Sequence, residues 1–139
     1  MKPEDLDQVM MLERQIFSRP WSEESMCSAL QQQETIYLVD EIEGVIRGYL
    51  GIWCMAEDGD LCNMAVAEQE RRGGVASGLL DAGIVCCRKQ GVHRIVLEVR
   101  ESNLPAKILY QSKGFVPIGV RKKYYSEPQE DAVIMECLF

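Results

Sequence analysis

The chain has 139 residues, 47% hydrophobic and 27% charged, a balance that describes one globular domain (residues 1–139) and excludes a disordered segment. With 22 acidic against 15 basic side chains the net charge is −7, which argues against non-specific nucleic-acid binding, since that needs cationic surface to replace phosphate counterions. No apolar stretch approaches the roughly 18–20 residues of a membrane span, and Met1–Asp7 has no signal-peptide core, so the chain reads as soluble, off the membrane and cytoplasmic.

From the N-terminus, Leu6, Val9, Met10, Leu12 or Glu13, and Phe17 fall near a helical period, with Pro3 suited to a first turn. Ser22 followed by Glu23 and Glu24 predicts an N-cap and a second helix to about Gln32. Thr35–Val39 predicts a strand, Glu43-Gly44 a turn, and Val45–Met55 its hairpin partner. A further turn is expected at Glu57-Asp58-Gly59-Asp60, then a strand over Leu61–Val66.

The pattern then changes period. Arg71-Arg72-Gly73-Gly74 opens a long helix whose apolar face includes Val75, Leu79, Leu80 and Ile84, and Gln90-Gly91 stops it. A strand follows over Arg94–Val99, then a short helix from Ser102-Asn103 to about Lys113, ended by Gly114. Phe115–Val120 and Ala132–Leu138 close the chain as strands. A meander joined to a β-α-β crossover predicts an α/β (α+β) fold: a mixed, mostly antiparallel sheet with helices on both faces and one central parallel pair. Ligands in such sheets bind near the carboxyl ends of the parallel strands.

The segment Arg71-Arg72-Gly73-Gly74-Val75-Ala76-Ser77-Gly78 lies between that strand and that helix. N–H groups of a helix's first turn lack intrahelical partners and the dipole adds positive character, so small residues there suit a phosphate ligand. A P-loop would need Gly-Lys-Ser/Thr where Gly78-Leu79-Leu80 stands, and the glycine spacing does not fit a dinucleotide fingerprint, although Glu98 lies near where a ribose-binding acid would fall. The six cysteines form no C-x-x-C pair and His93 is the one histidine, which leaves poor material for a metal site. Buried, reduced thiols are the expectation, Cys86 and Cys87 included.

Together, Arg71-x-x-Gly74-x-Ala76, Asn63-Met64-Ala65-Val66, Leu97–Asn103, Ala106-x-x-Leu109-Tyr110-x-x-x-Gly114-Phe115, Pro20-Trp21-Ser22, Tyr124-Tyr125 and Glu130-Asp131-Ala132 resemble the GNAT acyltransferase superfamily. Within it they look like the ribosomal-protein-alanine N-acetyltransferase (RimI) family, over almost the whole chain. The resemblance implies an enzyme that moves an acetyl group from acetyl-CoA, without a metal, to a protein N-terminal α-amine, with ribosomal protein S18 as partner substrate. Alternatives are acetylation of a lysine or small amine, or a non-catalytic acyl-CoA-binding domain. By resemblance, Met64, Ala65 and Val66 line the acetyl-pantetheine arm on a bulged, splaying strand. Arg71, Arg72, Gly73, Gly74, Val75, Ala76 and Ser77 hold the pyrophosphate, and Asn103 contacts the cofactor. Glu98 is the implied general base and Tyr110 the general acid, with Trp21, Tyr124 and Tyr125 walling the acceptor groove, although the residues alone leave Trp21 open between core and groove. The two tyrosines are expected at a turn, at most one of them in the core. One departure is expected: relatives usually begin with a short strand before the segment matching Met1–Leu6, so either the start is truncated or the sheet lacks its first edge.

Overall fold

In the computed structural model, which describes residues 1–139, six strands form one sheet in the order β1-β2-β3-β4-β6-β5. They are β1 (Thr35–Ile42), β2 (Val45–Met55), β3 (Asp58–Val66), β4 (Arg94–Arg100), β5 (Val116–Tyr125) and β6 (Glu130–Leu138). Four helices accompany them: α1 (Leu6–Ile16, after a 3-10 turn at Pro3–Asp5), α2 (Glu23–Gln31), α3 (Val75–Lys89) and α4 (Leu104–Ser112). Every pairing is antiparallel except β3 with β4, which α3 connects as a parallel crossover.

Local chemistry accounts for the boundaries. Ser22 caps α2, its hydroxyl accepting the Ser25 N–H at 3.1 Å, and Asn103 caps α4 through Ala106 N–H at 3.3 Å. Glu43 (φ 51°) and Gly44 (φ 79°) both sit in the left-handed region that a two-residue hairpin turn requires. Two expectations need correction. The second turn lies at Ala56-Glu57, and Asp58-Gly59-Asp60 already belong to β3, because they are the residues that pair with Arg94, Ile95 and Val96. Tyr124-Tyr125 end β5 and the turn follows them, a shift allowed by the irregularity between Arg121 and Tyr125, where Lys123 has φ 53°.

The sheet separates two cores. On one face Val75, Leu79, Leu80 and Cys87 of α3 meet Leu50, Ile52, Ile95, Leu97 and Met135. Gly83 lets α3 sit close, since a Cβ there would stand 3.1 Å from Leu50 and Ile52 methyls. On the other face Val9 and Met10 of α1 and Met26 of α2 cover Ile46, Tyr49 and Ala65. No strand precedes α1. On the outer edge of β1 the Met1 α-amine donates to the Tyr37 carbonyl at 2.8 Å. Of the cysteines, Cys54, Cys87 and Cys137 are buried, whereas Cys62 is exposed, contrary to the expectation of buried thiols. Cys62 is the extra residue of a bulge: Gly51 pairs with Asn63 and Ile52 with Leu61. No helix is long and apolar enough to cross a membrane.

Candidate active site

The parallel pair parts almost as soon as it forms. Asp60 opposite Val96 is the last pairing between β3 and β4, so from Leu61 and Leu97 onward the two strands splay apart. A groove of about 490 Å³ opens there, between the loop that joins α1 to α2 and the β5–β6 hairpin. Leu97 and Val99 point into the α3 core, which turns Glu98 and Arg100 to the opposite face and into this groove. Asn103 and Tyr110 reach it from the two ends of α4, Met64 from the splayed strand, Trp21 from one side, and Tyr124 with Tyr125 from the other.

Both tyrosines therefore face the groove, although neighbours on a regular strand point to opposite faces. The strand pairing is irregular between Arg121 and Tyr125, and the two tyrosine rings meet edge to face with centroids 5.0 Å apart. Trp21 serves two ends at once: it packs against the α1–α2 core and walls the groove.

Burial shapes the ionisable groups. Glu98 is pushed above the usual carboxylate value, first by desolvation and then by the charge of Asp60. Arg121, whose Nε lies 3.5 Å from Glu98 Oε1, opposes the rise. Tyr110, packed against Phe115 with ring centroids 5.7 Å apart, is raised well beyond the ordinary tyrosine range by burial, so its hydroxyl keeps its proton. Tyr125 is raised to about 12, again chiefly by burial. A carboxylate that binds its proton more readily and a phenol that holds on to its own face one cavity, the division expected of a base and an acid.

The glycine-rich segment lies beyond the far end of β3. Gly74 (φ 84°) is the N-cap residue of α3, Arg72 (φ 67°) precedes it in the left-handed region, and no acid stands in the first turn of the helix. A Cβ built on Gly74 would meet nothing within 4 Å, so the helix N-terminus is open to a ligand. No group of three or more His, Cys, Asp or Glu side chains could hold a metal ion.

The sequence matches the model of the Acetyltransferase (GNAT) family over residues 6–115. This chain belongs to that family. The [ribosomal protein bS18]-alanine N-acetyltransferase of Escherichia coli (strain K12) is 31% identical over 133 residues, covering 94% of this chain and 89% of the relative. A Bacillus subtilis (strain 168) protein is 37% identical over 136 residues, covering 97% and 90%. The crystal structure of the ribosomal-protein-S18-alanine N-acetyltransferase from Escherichia coli superposes with a TM-score of 0.91 at 30% identity, over 99% of this chain and 90% of that one. This GNAT chain is thus an acyl-CoA-dependent N-acetyltransferase of the ribosomal-protein-alanine branch, and the family's acyl donor is acetyl-CoA.

Within the GNAT fold the residues singled out from sequence divide into three groups. Glu98, Tyr110, Met64, Asn103, Trp21, Tyr124 and Tyr125 share the groove. Ala65 and Val66 do not line it with side chains; each is buried, in opposite cores, so only their backbone can border the splay. Arg71 to Ser77 lie apart from the groove at the α3 terminus. Several groove residues escaped the sequence reading, including Arg100, Cys62 and Glu13. Glu13, 1% exposed, accepts the Trp21 N–H at 2.7 Å and the Tyr49 hydroxyl, and so holds the Trp21 wall to α1. Its signal was an acid standing in the apolar stripe of α1, where an unpaired charge would be costly.

Proposed function

We propose that this GNAT enzyme acetylates a protein N-terminal α-amine in the cytoplasm, with the N-terminal alanine of ribosomal protein S18 as its substrate. The observation that carries the reading is the groove itself: Glu98 and Tyr110 share a cavity walled by Trp21 on one side and Tyr124-Tyr125 on the other. The names of the E. coli relative and of the superposing structure support S18 as the acceptor.

Acetyl-CoA supplies an activated acetyl thioester, with the backbone at the start of α3 (Arg71 to Ser77) holding its pyrophosphate. Met64 and the splayed backbone of β3 border the arm, and Asn103 meets it from the α4 cap. Glu98 accepts the proton of the attacking amine, directly or through water. An α-amine of pKa about 7.7–8.0 is mostly protonated at neutral pH and cannot attack in that form. Tyr110 donates its hydroxyl proton to the departing sulfur, which a phenol held neutral by burial is suited to do.

A lysine amine, with pKa about 10.4, would need roughly 3.4 kcal/mol more for deprotonation at neutral pH. A groove with Glu98 as its base therefore favours the α-amine. Paired peptides test this, one with a free N-terminus and no lysine, the other N-terminally blocked with one lysine, each incubated with acetyl-CoA and read by mass spectrometry. The first should be acetylated faster. Faster acetylation of the blocked peptide would assign the enzyme to lysine.

A further inference from the structure

Arg100 closes β4 two residues after Glu98 and on the same face. Its guanidinium is taken up by the β5–β6 loop. Nη1 donates to the Pro128 carbonyl at 2.9 Å and lies 3.3 Å from Glu130 Oε1, and Nη2 donates to the Ser126 carbonyl at 3.3 Å. The plane of the group also covers Tyr125, with Cζ 4.4 Å from the ring centroid. Glu130 works in two directions, since its Oε2 accepts the Ser102 backbone N–H at 2.6 Å. Ser102 immediately precedes Asn103, the cap of the helix that carries Tyr110.

We propose that Arg100 and Glu130 are a positioning pair that holds the Tyr124-Tyr125 wall in register with the start of α4, so that the acceptor groove and the proton donor are set as one unit. The proposal rests on the reading of that wall as the acceptor side. Neither residue is catalytic in this assignment. The terminal nitrogens of Arg100 serve loop carbonyls and Glu130, and its face is stacked, which leaves little to meet a substrate. The carbonyls of Ser126 and Pro128 lie in the turn, outside the β5–β6 ladder, and Arg100 is their partner. Only a planar fork can serve both of them and cover the ring as well; an ammonium is a point donor on a flexible stem.

The test uses Arg100→Gln, Arg100→Lys and Glu130→Gln in the full chain. Steady-state kinetics are measured against an N-terminal peptide and against acetyl-CoA, with hydrogen–deuterium exchange over residues 121–131. Arg100→Gln should lower kcat/KM for the peptide on the order of 10- to 100-fold, as misplacement of a positioning wall does, with the acetyl-CoA KM within about threefold. Amides of residues 124–130 should exchange faster while the central strands keep their protection. Arg100→Lys should fail to restore either property, and Glu130→Gln should raise the peptide KM in the same direction. Wild-type behaviour of Arg100→Lys, or equal losses for peptide and acetyl-CoA, would overturn the proposal. The exchange measurement does not depend on the acceptor. If wild-type protein acetylated no α-amine while the loop still loosened in Arg100→Gln, the acceptor assignment would fall and the clamp would stand.

Discussion

Glu13 offers the sharpest test of how the groove is built. Its carboxylate is buried between α1 and the sheet, with the Trp21 N–H on one oxygen and the Tyr49 hydroxyl on the other. Tyr49 is itself fully buried, and burial first, then its hydrogen bond to Glu13, raise its hydroxyl well above the normal tyrosine range. Glu13→Ala removes both acceptors at once. Hydrogen bonds to a charged group contribute about 1.5–3 kcal/mol each, and each orphaned buried donor costs about 1–3 kcal/mol. Against this stands the recovered cost of desolvating a carboxylate, several kcal/mol. A net loss of roughly 2–4 kcal/mol is expected, which for a domain of this size is on the order of 8–16 °C in Tm. Glu13→Gln separates charge from geometry. Its amide oxygen can accept from Trp21 while its NH2 donates to the Tyr49 oxygen, which leaves only the Tyr49 O–H without an acceptor, so the loss should be about 1–2 kcal/mol, smaller than for alanine. Urea and thermal unfolding followed by circular dichroism measure both variants. An alanine variant within 1 kcal/mol of wild type would refute the reasoning, because the two bonds would then contribute nothing net.

Tyr110→Phe should reduce kcat roughly 100-fold or more and leave the acetyl-CoA KM within about threefold, since the hydroxyl proton matters only as sulfur departs. Glu98 must be ionised to accept a proton, so kcat/KM should rise with pH through its elevated pKa, and Glu98→Gln should abolish that limb in a pH–rate series. Arg121→Gln removes the one cation that holds the Glu98 value down, so the acidic limb should move to higher pH; a shift to lower pH would contradict the ion pair. Gly74→Ala places a Cβ in the left-handed region and should cost about 1–2 kcal/mol of stability, read by thermal unfolding. Gly74→Glu should in addition weaken acetyl-CoA binding in calorimetry at least tenfold, on the order of 1.4 kcal/mol, because charge and bulk both oppose a phosphate.

What could be read from sequence was what depends on neighbours along the chain. The hydrophobic period, the caps at Ser22 and Asn103 and the stop at Gln90-Gly91 are local chemistry, and each element they imply is present within a few residues. Glu98 was legible too, because Ile95, Leu97 and Val99 mark one face of β4 and leave it on the other. The α3 terminus followed from two glycines, and Gly74 at φ 84° explains why the second of them is glycine. The rest hangs on contacts between distant segments. Glu13 meets Tyr49 across 36 residues, and Arg100 meets the Ser126 and Pro128 carbonyls across 26 and 28. A backbone carbonyl has no residue identity, so no pattern in the sequence marks Ser126 as an acceptor for an arginine. The Cys62 bulge and the irregularity at Lys123 escaped for a related reason. The first adds one residue to β3 and the second adds two to β5 relative to the partner strand, and a period of two read along a single strand cannot show the partner's count. Those two irregularities are also what bring the site together. The bulge at Cys62 sits where β3 leaves β4, and the irregular stretch from Arg121 to Tyr125 carries the two tyrosines that line the groove. The catalytic candidates were therefore legible as residues, while the walls that orient an acceptor against them emerge only when the strands are paired.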